Sequence, residues 1–172
     1  MASPLKQPPT LHGLMKSLLF IAHTPSANTV KLRDAAIMGI NQAVADEGEP
    51  NRLDCIFKPP LETVAEDILT ADAILLGTTE NLGYMAGATK DMFDRCYYSW
   101  LDQTDGKPVA IYIRAGHDGT GTSRALDSIV TGLRWRKVAE PVICRGTWQE
   151  GFSDEVSELG QALAAGLLLG VF

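Results

Sequence analysis

Residues 20–29 read Phe-Ile-Ala-His-Thr-Pro-Ser-Ala-Asn-Thr, and the fold turns on how this stretch is parsed. Ser17 to His23 is a short apolar run of strand length. Small, hydroxylated and amide residues follow. From Val30 to Asp46 the apolar side chains Val30, Leu32, Ala36, Ile37, Ile40 and Val44 recur at helical spacing. A strand, a tight polar loop and a helix in that order form an anion site. Backbone N–H groups at a helix start lack partners and carry roughly half a unit of positive charge. Thr24, Ser26, Asn28 and Thr29 add side-chain donors there, and the loop holds neither Lys nor Arg. Hydroxyls and N–H groups without a lysine suit a phosphate monoester better than a triphosphate. The same residues also serve as an ordinary helix cap, and both readings stay open.

Outward from this unit, strands and helices alternate. Arg52 to Phe57 predicts a second strand, stopped by Pro59 and Pro60, which cannot donate to a ladder. Leu61 to Leu69 predicts a short helix. Ala71 to Gly77 reads as a strand covered on both faces, being apolar apart from Asp72. A loop is expected from Thr78 to Gly87, then a helix over Ala88 to Trp100. Val109 to Arg114 is the fourth strand, Ala115 to Gly121 a Gly-rich loop, and Ser123 to Leu133 a helix. Pro141 to Arg145 is the fifth strand, and Asp154 to Leu169 the last helix, with Ser153 as its expected N-cap. Five alternations imply a parallel sheet with helices on both faces. Met1 to Gly13 contains three prolines and no periodicity. Residues 1–15 are therefore expected to be a flexible leader, or a false start upstream of Met15, with a single domain over residues 16–172.

Composition bounds the function. A chain of 172 residues can bury roughly 70% of its unfolded surface, so it needs neither metal nor disulfide to hold a core. Its 15 basic and 21 acidic residues give a net charge of −6, which argues against a nucleic-acid partner. Cys55, Cys96 and Cys144 are odd in number and lack Cys-x-x-Cys spacing. They read as three buried thiols in a reducing cytoplasm, with no zinc site. No apolar run reaches the ~18 residues of a spanning helix. A P-loop would need Gly-Lys-Ser/Thr after a strand, and none occurs. A phospho-receiver would need acids where His23-Thr24 and Gly77-Thr78 stand.

In such a sheet, ligands bind beyond the carboxyl ends of the strands, where the strand order reverses. Three loops meet that description: 23–29, 78–87 and 115–121. Concave and mostly uncharged, they suit a flat ring with a polar edge. The loop His23-Thr-Pro-Ser-Ala-Asn-Thr29 is similar to the phosphate loop of flavodoxins. The stretch Gly77-Thr-Thr-Glu-Asn-Leu-Gly-Tyr-Met-Ala-Gly87, followed by Lys90, Phe93, Asp94 and Arg95, resembles the isoalloxazine loop and following helix of flavodoxin-family proteins and NAD(P)H-dependent FMN reductases. The likeness covers the chain from Lys16 to Phe172. It implies an α/β, flavodoxin-like three-layer sandwich with a five-stranded parallel sheet in order 2-1-3-4-5, binding FMN without a covalent link. Thr24, Ser26, Ala27, Asn28 and Thr29 would then surround the phosphate. Thr78, Thr79, Glu80, Asn81, Leu82, Gly83, Tyr84 and Met85 would border the ring and ribityl chain. Ala115, Gly116, His117, Asp118 and Gly119 would close the other side. The chain departs from the family pattern at Ala27, where a Gly is usual, and at Glu80 and Leu82, where a hydroxyl residue and an aromatic are common.

The resemblance implies a cytoplasmic oxidoreductase passing electrons from NAD(P)H through FMN to a quinone or other small acceptor. No side chain is required as acid or base, so neither a catalytic residue nor a metal ligand is named. A flavodoxin-type carrier serving a redox-protein partner, and a flavin-free binding module of the same fold, are the alternatives. Glu80 would accept from the flavin N3–H or be solvated; His117 and Asp118 would touch the ring or form a solvated turn. His23, ending a strand, reads as a structural hydrogen-bonder. Gly116, Gly119 and Gly121 match a dinucleotide fingerprint only loosely and in the wrong chain order. Arg134, Trp135, Arg136 and Lys137 suit a helix C-terminus, with docking of an NAD(P)H phosphate as the second reading. Tyr97, Tyr98 and Trp100, and the apolar 162–172 segment, read first as packing and second as a homodimer face.

Overall fold

The structure, a computed structural model, describes residues 15–48 and 50–172. Apart from Met15, the expected leader lies outside the described residues. β1 (Lys16–Ala22) leads into α1 (Ala27–Asp46), and β2 (Leu53–Lys58) follows. A 3-10 turn (Pro60–Glu62) and α2 (Ala65–Thr70) precede β3 (Ala73–Asn81) and β4 (Tyr84–Met85). Then come α3 (Gly87–Trp100), β5 (Pro108–Ala115), α4 (Thr120–Gly132), β6 (Arg136–Lys137), β7 (Val142–Arg145) and α5 (Gly151–Leu168).

The parallel sheet runs β2-β1-β3-β5, and β6 and β7 both pair with the outer edge of β5. β6 joins Pro108 and Val109, while β7 joins Tyr112 to Ala115. They form one edge line in two pieces, and Pro141 at the break has no N–H to give a ladder. Counted as one strand, this line completes the expected order 2-1-3-4-5. The addition is β4, which folds back antiparallel on the end of β3.

α1 and α5 cover one face, with Leu18, Phe20, Leu75 and Tyr112 beneath them. α2, α3 and α4 cover the other, over Leu19, Ile21, Ile74, Leu76 and Ile111. Burial of β1 and β3 on both faces explains their near-continuous apolar sequence. The two helices on the first face meet backbone to backbone. A Cβ on Gly39 would lie 1.9 Å from the Ser157 carbonyl oxygen, and one on Gly160 2.7 Å from that of Ala36.

Four local expectations are corrected. The helix expected over Leu61 to Leu69 breaks at Thr63, whose backbone is extended. Arg95 from α3 takes the carbonyls of Pro60 and Thr63 (3.0 and 2.9 Å); that of Pro60 also accepts the Thr63 N–H (3.2 Å), while that of Thr63 is left to Arg95 in place of a helical N–H. The strand expected to end at Gly77 continues to Asn81, so most of the expected second loop is a hairpin. Ser153 does not cap α5; it lies inside the first turn, its N–H donating to the Glu150 carbonyl (3.0 Å). Cys96 and Cys144 are buried as expected, but Cys55, on edge strand β2, is only half-buried. Desolvation still pushes its thiol up to about 11 and that of Cys144 to about 12.

Candidate functional site

The strand order reverses between β1 and β3; β1 ends beside Gly77, whose carbonyl accepts the His23 N–H (3.1 Å), and β3 runs on to Asn81. Ser26 is the N-cap of α1. It and Thr29 form a closed exchange: the Ser26 N–H donates to Thr29 Oγ1 (2.9 Å), the Thr29 N–H to Ser26 Oγ (3.3 Å), and the Thr29 hydroxyl to the Ser26 carbonyl (2.8 Å). Thr29 is buried and its hydroxyl is spent on the cap. The exposed Ser26 hydroxyl lies 3.1 Å from Thr29 Oγ1. Among the described residues nothing accepts from the N–H groups of Ala27 and Asn28, the first two helical residues. The loop is therefore a helix cap that leaves two amides open at the positive end of a 20-residue helix. Asn28 and Thr24 are half-buried beside them. Lys31, two residues past the expected loop, sits 5.2 Å from the Trp148 ring centroid and 3.9 Å from Glu150. The segment after β7 thus reaches the start of α1, a neighbour the sequence did not signal.

The second stretch is a β-hairpin. Glu80 pairs with Met85 and Asn81 with Tyr84 across a two-residue turn, Leu82-Gly83. Both turn residues have positive φ (54° and 73°), the pattern of a type I′ turn. Thr78, Thr79 and Met85 face inward. The Thr78 hydroxyl is 2.8 Å from that of Thr89 on α3, and Thr79 Oγ1 donates to Asn81 Oδ1 (2.5 Å). Leu82 is fully exposed, and Asn81, Gly83 and Tyr84 are exposed with it. The hairpin leans on α4, where a Cβ on Gly121 would fall 2.0 Å from the Gly83 carbonyl oxygen. Close helix–hairpin approach is the work of that glycine.

The third loop is tied to the second. Glu80 Oε2 accepts from the His117 N–H (2.8 Å) and Oε1 from the Gly119 N–H (3.1 Å). Asp118 Oδ1 accepts from the Thr120 N–H (2.9 Å), and this bond chiefly holds its carboxyl below the usual carboxylate range. Arg145 Nε donates to the Asp118 carbonyl (2.7 Å). Gly119 takes φ 72° and packs where a Cβ would meet Ile143 at 2.5 Å. Ala115 is buried; Gly116, His117 and Asp118 are exposed. The N–H groups of Gly116 and Asp118 have no acceptor among the described residues.

The basic end of α4 is internally engaged. Arg134 binds Asp105 (2.6 Å) and Asp102, Lys137 binds Asp127, and Arg136 lies over Phe172. Trp135 is buried, with Nε1 donating to Thr104 Oγ1 (2.7 Å). Trp100 is buried, Tyr97 half-buried and Tyr98 exposed. No group of three metal-ligating side chains occurs among the described residues, and no helix there is long and apolar enough to cross a membrane.

The three expected loops thus converge at the carboxyl edge, offering open amides at two loops and an uncharged hairpin tip between them. The sequence pattern of NADPH-dependent FMN reductases matches residues 22–150, the span that holds all of these groups. The chain belongs to that family. This family member is also 28% identical to a flavodoxin of Aquifex aeolicus (strain VF5) over 119 residues, 69% of its own length and 60% of that protein's. Among solved structures, an archaeal flavodoxin superimposes with a TM-score of 0.70 at 17% identity, covering 89% of this chain and 99% of that one. An oxidoreductase from Corynebacterium diphtheriae gives 0.67 at 19% identity, covering 91% and 97%. These two likenesses establish the flavodoxin-like fold.

Proposed function

We propose that the cleft binds FMN, with the 5′-phosphate on the start of α1 and the ring between the hairpin and the β5–α4 loop. The observation that carries this is the pair of open amides at Ala27 and Asn28, beside the reversal of strand order and without a lysine in the loop. The residues present fit the group. Their N–H and hydroxyl donors suit a phosphate monoester, and the Gly116 and Asp118 amides suit the polar edge of a ring. Thr24, Ser26, Ala27 and Asn28 would surround the phosphate, and Thr29 would support it through the cap. Asn81 to Tyr84 on one side and Gly116 to Asp118 on the other would flank the ring.

When bound, FMN would supply the redox chemistry, so that NAD(P)H, a proton and a quinone or similar small acceptor become NAD(P)⁺ and the reduced acceptor. The chain's own part is to bind and orient. A groove of about 420 Å³ opens beside the β5–α4 loop, lined by Arg124, Arg145 and the paired Lys137 and Asp127 together with Glu140. A second reading, an electron carrier without its own NAD(P)H activity, is favoured by the likeness to flavodoxins.

Anaerobic addition of NADPH or NADH to the FMN-loaded protein separates the two. Bleaching of the visible flavin band within seconds, reversed by a quinone, is expected of the oxidoreductase. A band that bleaches only with dithionite would instead mark a carrier.

A further inference from the structure

We infer that Glu80 is a positioning residue: it fixes the gap between the two walls of the proposed flavin cleft and decides which amides of the β5–α4 loop stay open. This rests on the flavin reading above for its ligand, but the brace itself is a property of the chain. Each oxygen of the carboxylate accepts from a different amide, His117 (2.8 Å) and Gly119 (3.1 Å), 37 and 39 residues away. A charged acceptor makes such bonds about twice as strong as a neutral one. Glu80 itself is held in register at the hairpin, opposite Met85 and one residue pair back from the turn.

From 117 to 120, three of the four backbone amides have a carboxylate acceptor: His117 and Gly119 on Glu80, and Thr120 on Asp118. The amide of Asp118 is left without one, as is that of Gly116 before them. The loop's conformation is further pinned by Arg145 on the Asp118 carbonyl and by Gly121 against Gly83. Glu80 is therefore spent on protein amides, which makes it a poor acceptor for the ligand and a good spacer. It couples the hairpin to the opposite loop, so displacing one wall moves the other.

The test compares Glu80→Ala and Glu80→Gln with the parent. In the FMN-free protein, hydrogen exchange of the His117 and Gly119 amides is expected to accelerate about tenfold in Glu80→Ala, while core amides such as those of Leu75 and Ile111 keep their rates. FMN dissociation constants are expected to rise at least about fivefold in Glu80→Ala. Glu80→Gln, which keeps one carbonyl acceptor, is expected to recover part of both effects. Unchanged exchange at the two amides, or acceleration spread evenly over the core, would overturn the brace. So would an FMN affinity in Glu80→Ala that changes less than that. If the parent fails to bind FMN while the two amides still respond to the substitution, the brace stands and the flavin reading falls.

Discussion

Leu82 holds a left-handed backbone (φ 54°) with its side chain fully in solvent. A leucine gains no local hydrogen bond there, and the conformation costs roughly 1–2 kcal/mol. Asn tolerates the same angles. Leu82→Asn is therefore expected to raise stability by about 1 kcal/mol, read as a higher urea midpoint at unchanged slope. A lower midpoint would mean that the leucine makes a contact not seen here. His23 carries a pH dependence. Partial burial holds its imidazole below the ordinary 6.5, so the folded chain resists a proton that the unfolded chain accepts. Stability is then highest above that pH, falls as the pH drops from 6.5 toward the folded value, and levels off beneath it. His23→Asn should flatten the decline between neutrality and mildly acid pH in thermal melts, and an unaltered decline would show that other groups cause it. At this scale the cap of α1 was legible, because Ser, Asn and Thr favour a helix start. Leu82 was not, because nothing in a leucine announces positive φ. Glu80 was visible as a charge among uncharged residues, but its partners lie 37 and 39 residues away.

The elements followed their periodicity wherever one face met the core. β1 and α1 were readable from apolar spacing alone. The hairpin was not, since Thr78 and Thr79 look polar in a loop-like stretch. Their β-branching, ahead of Asn-Leu-Gly, was the signal for strand and turn. The α1–α5 contact was missed for a related reason: apolar counting skips glycine, yet Gly39 is where the helices touch. Gly39→Val would drive a side chain into the Ser157 carbonyl, 1.9 Å from the first added atom. A loss of about 3 kcal/mol or more is expected by urea unfolding, at the upper end of overpacking costs because the obstacle is backbone. Gly87→Ala, at an open first position of α3, serves as the control and should shift stability by no more than about 0.5 kcal/mol. Equal effects at the two sites would refute the close crossing.

For the whole molecule, topology does the positioning. β2 lies on one side of β1 and β3 on the other, so the first helix leaves the sheet where the order turns, and its amides face the crevice between two crossovers. Alternation of strands and helices made this legible before any side chain was placed. The split edge line and the added hairpin were not legible, because strands of two residues carry no periodicity. The central claim is that a phosphate docks on the start of α1. Parallel titrations of the protein with FMN and with riboflavin, followed by quenching of flavin fluorescence, test it most directly. Two charge-assisted hydrogen bonds correspond to about 3 kcal/mol or more, so FMN is expected to bind one per chain and at least about a hundredfold more tightly than riboflavin. Equal affinities for the two flavins, or no binding of FMN, would contradict it.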